Sequence, residues 1–212
     1  MAKIRQGIMG PFSGKIGPII GSSWKNISYI KSAPVDNGQP RAFTPAKLAN
    51  QQRFKLMNDF LDPFQPFITI GFANLASNKT ELNAAFMVNF REAMELVDWA
   101  YQIRYDKLCL SKGNLPGLEA IVVQRMASAK LLINWDPTIV FAAANDQVML
   151  VVYCPDLKMA DGFVGFAQRS SGSVRFKMPI KMQHHAVELY LSMVSLNSKK
   201  ISNSQYLGRM EP

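Results

Sequence analysis

Leu131-Leu132-Ile133-Asn134-Trp135-Asp136-Pro137 alternates with a two-residue period. On an extended strand Leu131, Ile133 and Trp135 share one face, so the indole is predicted to lie in a core. Asp136-Pro137 then stops the strand, because proline offers no N–H to a ladder. The same pattern recurs on both sides. Short β-rich runs are predicted at 102–110, 118–125, 129–135, 147–154, 162–168, 173–178 and 186–195. Between them lie the turn signals Lys112-Gly113-Asn114, Asp136-Pro137, Asn145-Asp146, Asp161-Gly162 and Ser171-Gly172. Seven short strands with such separators predict a β-sandwich over 100–212.

Upstream, over 44–99, the period changes. Thr44-Pro45 supplies a capping hydroxyl followed by proline at the first helical position, which predicts a helix from Pro45 to about Leu61. Leu48, Met57, Phe60 and Leu61 form its apolar stripe, with Gln51, Gln52, Arg53 and Lys55 outside it, and Asp62-Pro63 ends it. Pro66–Phe72 is short and apolar. A second helix is predicted over Lys79–Val97, where Phe86, Phe90, Met94 and Val97 fall at helical spacing and Glu81 sits in the first turn.

Residues 1–43 read as an extended basic arm. Gly7, Gly10, Gly14, Gly17 and Gly21 alternate spacings of three and four, but Pro11 and Pro18 argue against a helix. Short extended pieces with turns fit better, followed by a β-prone stretch from Trp24 to Lys31 able to join a sheet edge. Pro34–Arg41 reads as a linker. The first 55 residues carry nine basic side chains and one acid, Asp36, whereas the other 157 carry 15 basic and 14 acidic ones. Nearly all of the chain's net charge of +9 therefore sits at one end.

Composition narrows the chemistry. Only 18% of residues are charged, and 12 Met and 13 Phe are present, a balance that fits equally a generous core and apolar surface buried between subunits as well as within them. No apolar run is long enough for a membrane-spanning helix, and the broken N-terminal stretch does not form a signal peptide. Cytoplasmic synthesis without classical export is expected, and a place in a virion or extracellular assembly after lysis is compatible with it. Cys109 and Cys154 are expected as buried free thiols. His184 and His185 are adjacent, a poor metal pair on a strand because they point to opposite faces. Ser13-Gly14-Lys15 lacks the hydroxyl residue after lysine that a phosphate loop requires. Asp106, Glu119, Asp146, Asp156 and Asp161 read as turn carboxylates. No catalytic, metal or cofactor residues are assigned.

Leu131–Pro137 resembles the second strand of fibronectin type III or immunoglobulin-like modules, whose tryptophan packs in the sandwich core. Val187–Val194 with Lys199–Ser204 resembles the sixth strand, its tyrosine and the turn into the last strand. The whole chain is similar to a family of domain-of-unknown-function proteins, about 210 residues long, from Bacteroidota-type bacteria. The likeness rests on Gly7-Ile8-Met9-Gly10, Phe12–Gly17, Trp24-Lys25, Thr44–Ala49 with Arg53-Phe54, and Ser204–Gly208. This chain departs from it at Pro11 and Pro18. The Thr-Pro-Ala helix start also resembles small phage structural proteins. None of these resemblances implies catalytic residues; the family raises the expectation of an assembly component.

The expected architecture is α+β: an extended basic N-terminal arm, two helices and a C-terminal immunoglobulin-like β-sandwich. The expected role is a structural subunit of a homomeric particle, tube or filament. Phe12, Ile16, Ile19, Ile20, Trp24 and Tyr29 are the predicted subunit contacts. Burying these side chains does not alone offset the entropy of ordering the arm, so strand hydrogen bonds must contribute. The alternative partner is nucleic acid, held by phosphate-contact candidates Lys3, Arg5, Lys15, Lys25 and Lys31.

Overall fold

The structure is a computed structural model that describes residues 3–4, 10–24, 27–35, 44–98, 100–126, 130–138 and 144–212. The chain divides into two compact units, Met1–Thr44 and Pro45–Pro212.

The first unit is a four-stranded antiparallel meander in chain order. Its strands are β1 (Lys3–Ile4), β2 (Phe12–Ile16), β3 (Ile19–Trp24) and β4 (Ile27–Ser32). Gly17 and Pro18 make the β2–β3 turn, closed by the Ile16–Ile19 pair, with Gly17 at φ +55°. A two-residue hairpin needs a positive φ that glycine supplies at no steric cost, and proline fits the next position because the ladder asks no donor of it. The β-prone stretch Trp24–Lys31 is not one strand. It is shared between β3 and β4, which pair with each other through Trp24 and Ile27. The predicted linker lies outside the described residues after Val35.

The second unit begins with α1 (Pro45–Leu61), a 3-10 turn at Asp62–Phe64, α2 (Gln65–Gly71) and α3 (Glu81–Glu92). A small hairpin follows, β5 (Met94–Val97) with β6 (Ala100–Ile103). Then come β7 (Glu119–Met126), β8 (Lys130–Asp136), β9 (Gln147–Cys154), β10 (Met159–Gln168), β11 (Ser173–Lys177), β12 (Val187–Val194) and β13 (Gln205–Met210). The last seven form two antiparallel sheets, ordered β11-β8-β7 and β10-β9-β12-β13. The first, second and fifth strands of the seven thus face the fourth, third, sixth and seventh, an immunoglobulin-like sandwich. The protein is α+β.

Trp135 is buried between the sheets with Leu131, Ile133, Val148, Leu150, Leu189 and Leu191. Alternate residues of β9 and β12 point the other way. Met149, Val151, Tyr153 and Tyr190 pack with Met57, Leu61, Phe64 and Phe72 of the helical segment. The helices are therefore a third layer over the sandwich's larger sheet, which is why β9 and β12 are buried on both faces.

Two expectations are corrected. The helix predicted over 79–97 starts at its cap, where the Thr80 hydroxyl accepts the Asn83 N–H, but ends at Glu92. Met94–Val97 instead pairs with Ala100–Ile103, turning at Asp98, whose φ is +47°. The strand predicted at 102–110 stops at Ile103, and the seventh sandwich strand is β13. In place of a ladder, the backbone of 109–118 is satisfied by isolated main-chain bonds, such as Lys112 N–H to the Gly71 carbonyl and Leu115 N–H to the Ile201 carbonyl, and by side chains. The Asn89 amide donates to the Cys109 carbonyl at 2.8 Å and accepts its N–H at 2.8 Å. The Ser204 hydroxyl accepts from Leu110 N–H, and the Gln205 amide both accepts from and donates to Leu118. Finally, Arg53, placed outside the apolar stripe of α1, packs against α3. Its guanidinium stacks on the Phe90 ring at 4.1 Å and donates to the Phe90 carbonyl at 2.9 Å.

Candidate functional site

The predicted contact residues converge on the meander, where the register assigns each to a face. Side chains alternate along a strand, and directly paired residues share a face. The pairs Gly14–Gly21, Ile16–Ile19, Gly21–Ile30 and Ile19–Ser32 define one face. Among the described residues of β2, β3 and β4 it carries Phe12, Ile16, Ile19 and Ile30, with glycine and serine besides and no charged side chain. The Phe12 ring lies over Gly21, where an added Cβ would stand 2.6 Å from the ring and 2.3 Å from the Phe12 carbonyl oxygen. Glycine there permits the close approach of ring to backbone.

The pairs Lys15–Ile20, Ile20–Lys31, Ser22–Tyr29 and Trp24–Ile27 define the opposite face. Here two lysines flank Ile20 in one row, and Tyr29 and Trp24 follow in the next rows. Phe12, Ile16 and Ile19 are thus separated from Ile20, Trp24 and Tyr29 by the thickness of the sheet. Arg5, Lys25 and the side chain of Lys3 lie outside the described residues. Sequence reasoning left Ile27 and Ile30 out of the contact set, although they are the most exposed apolar side chains among the described strand residues of the meander, at 61% and 63%. The alternation Ile27, Tyr29, Lys31 was the signal that could have included Ile27.

The second unit presents titratable groups, and their surroundings fix their chemistry. A cleft of about 250 Å³ is lined by Glu92, Asp106, Lys107, Cys109, Ser204 and Tyr206, among others. Burial pushes the Cys109 thiol up from its ordinary pKa, so it is not a thiolate nucleophile at neutral pH. Cys154 is buried, and both cysteines are free. His185 Nδ1 lies 3.0 Å from Asp156 Oδ2, and His184 is exposed in the same turn. Among the described residues no three His, Cys, Asp or Glu side chains group as metal ligands. No described helix is long and apolar enough to cross a membrane.

Glu188 is a buried carboxylate on β12, facing the helical layer. It accepts the Tyr206 hydroxyl at 2.6 Å and lies 3.8 Å from Arg209. Burial first, then this bond to Glu188, raises the Tyr206 phenol. Burial likewise raises Tyr105 and Tyr190, and pushes Tyr153 up to about 12. A phenol whose pKa is raised by folding keeps its proton in the native state after the unfolded chain has lost it. Its contribution is fully present below the unfolded value of ~10 and is lost as pH rises through the folded value. Stability should therefore fall progressively above pH ~10. Circular dichroism with tyrosinate absorbance would check this: ionisation of buried phenols should coincide with unfolding. Ionisation of all the tyrosines near their ordinary pKa in a folded chain would contradict the packing.

The sandwich and its helical cover define the class of the protein. Residues 11–208 match the model of a family described as "Family of unknown function (DUF6266)", and the chain belongs to it. No curated protein matches the sequence. Among solved structures, the chain is similar to the fibronectin type III domain of the human collagen alpha-1(XX) chain, at 8% identity and a TM-score of 0.34. That match covers 46% of this chain and 85% of that one. A structure titled "Myokine structure" matches at 10% identity and a TM-score of 0.34, covering 46% of this chain and 97% of that one. The fibronectin type III domain of human contactin 1 matches at 7% identity and a TM-score of 0.31, covering 48% of this chain and 76% of that one.

Proposed function

We propose that the chain is a structural, self-assembling subunit of a homomeric particle, tube or filament. In this reading the N-terminal meander ties one copy to the next. One observation carries it: a meander forming its own compact unit leaves Ile16, Ile19 and Ile30 exposed, at 38–63%, on its uncharged face. A sheet is stable when at least one apolar face is covered by another layer. Exposed apolar area of this kind marks an interaction surface. The uncharged face suits a second copy, because like faces meet without like-charge repulsion. The ladder between β2, β3 and β4 supplies the backbone hydrogen bonds that side-chain burial alone could not replace. The polar groups of the second unit support the same reading, since Glu188, Tyr206 and Asn89 are engaged in internal contacts.

Light scattering after size exclusion tests the proposal. The full chain should elute as a large species that persists after nuclease treatment and at moderate salt. Deleting 1–43 should leave the Pro45–Pro212 unit folded by circular dichroism but unable to assemble. Replacing Ile16 and Ile30 by serine should have the same effect at every ionic strength, because the loss is of apolar area. A full chain that remains monomeric, or a truncation that assembles normally, would sink it.

A further inference from the structure

The meander's other face has a composition that self-assembly does not use. We infer that the face bearing Lys15, Ile20, Lys31, Tyr29 and Trp24 binds single-stranded nucleic acid, with phosphates at the lysine row and bases on the two rings. The inference is independent of self-assembly, which uses the opposite face.

The register makes the argument. Lys15 and Lys31 pair on either side of Ile20, so their backbones stand about two strand spacings, ~10 Å, apart across the sheet, with both side chains on one face. Tyr29 and Trp24 are diagonal neighbours on β4 and β3, about 7–8 Å apart at their Cα atoms, each 40–43% exposed. Ser22 pairs with Tyr29 and sets a hydroxyl beside the ring. Residues 1–35 contain five basic side chains and no acidic one, so no carboxylate in the segment competes for the lysines. A flat sheet face with aromatic rings beside cations is what an unpaired strand requires. Bases stack on rings whatever their sequence, and ammonium groups neutralise the backbone. Duplex DNA fits less well, because its bases are already stacked. A lipid core also fits less well, since Ile20 could enter it only by dehydrating the lysine on each side.

Fluorescence anisotropy of labelled oligothymidylate and oligouridylate with the full-length chain tests the inference, the two probes reporting DNA and RNA. Binding to either is expected, with log–log salt dependence of about −0.7 per phosphate contact. The double substitution Lys15→Gln and Lys31→Gln should lower the magnitude of that slope by about 1.4. These side chains are exposed, so the variant keeps the fold. Trp24→Ala and Tyr29→Ala should each weaken binding roughly tenfold, and Trp24→Phe should restore most of the loss at its position. The Ile16→Ser and Ile30→Ser variant, altered on the opposite face, should bind like the parent even where it no longer assembles. That separates failure of this inference from failure of the assembly reading. Absence of binding at low salt would overturn it. So would binding indifferent to both lysines and both rings, or binding to phosphatidylserine vesicles without binding to either oligonucleotide. Loss of assembly in Trp24→Ala, together with assembled protein that takes up no oligonucleotide, would assign this face to a second copy instead.

Discussion

Replacing Trp135 by alanine is expected to cost ~3–5 kcal/mol of stability, a large part of the ~5–15 kcal/mol that holds a domain of this kind together. The indole sits on β8, 4% exposed, at the centre of the inter-sheet core. Alanine leaves a cavity that Val148, Leu150 and Leu189, on the central strands of the facing sheet, can fill only by moving strands fixed on both sides. A second loss adds to it. Trp135 Nε1 donates to the Arg169 carbonyl at 2.7 Å, and alanine leaves that buried oxygen without this donor. Trp135→Phe fills most of the volume and loses only the donor, so it should cost less than half as much. Urea titration of the two variants measures the difference. Equal midpoints for both and for the parent would contradict the core assignment.

The residues explain which parts of this fold could be read from the chain. Thr44-Pro45 and Asp62-Pro63 bracket α1 with local chemistry, and the observed helix runs Pro45–Leu61 between them. Gln147–Cys154 was equally legible, because β-branched and apolar residues run between polar turns. That run also held a signal left unread. It is apolar at nearly every position rather than at alternate ones, which is the mark of a strand buried on both faces. The helical layer over the sandwich could have been inferred from it. The segment 104–118 was not legible, since many of its backbone partners, side-chain and main-chain alike, lie far along the chain, Gly71 and Asn89 on one side and Ile201, Ser204 and Gln205 on the other. Met94–Val97 was misread because Phe86, Phe90, Met94 and Val97 satisfy helical spacing while the last four residues also suit a hairpin. In the meander the candidate residues could be named from composition, but their division into two faces needed the register. The Gly17-Pro18 turn sets that register, and a slip of one residue would send every side chain of a strand to the other face.

The second large effect is expected at a residue that the sequence hid inside a turn signal. Arg169 precedes Ser170, Ser171 and Gly172 and looks like a solvated loop cation, yet its side chain is 1% exposed. Its Nη1 donates to the Gly117 carbonyl at 2.8 Å, its Nη2 donates to the Pro116 carbonyl at 2.7 Å, and Asp146 Oδ2 stands 3.6 Å from Nη2. Its own backbone N–H donates to the Asp146 carbonyl, and its own carbonyl accepts the Trp135 indole. One side chain thus joins the entry to β7, the loop before β9 and the link from β10 to β11. Burial lowers the guanidinium's pKa and Asp146 opposes that shift, but a guanidinium stays charged throughout the working range. Arg169→Met should therefore cost ~3–5 kcal/mol, because it strands a buried carboxylate and frees two carbonyls. Arg169→Lys should recover only part of this, since a point charge cannot bond two carbonyls in the geometry of a planar fork. Asp146→Asn in the Arg169→Met background should restore some stability by removing the unpaired charge, so the double variant should lose less than the sum of the singles. Denaturant midpoints of the four chains, parent included, measure that coupling. Strict additivity, or an Arg169→Met variant within ~0.5 kcal/mol of the parent, would show that the three loops are held by packing and not by this side chain.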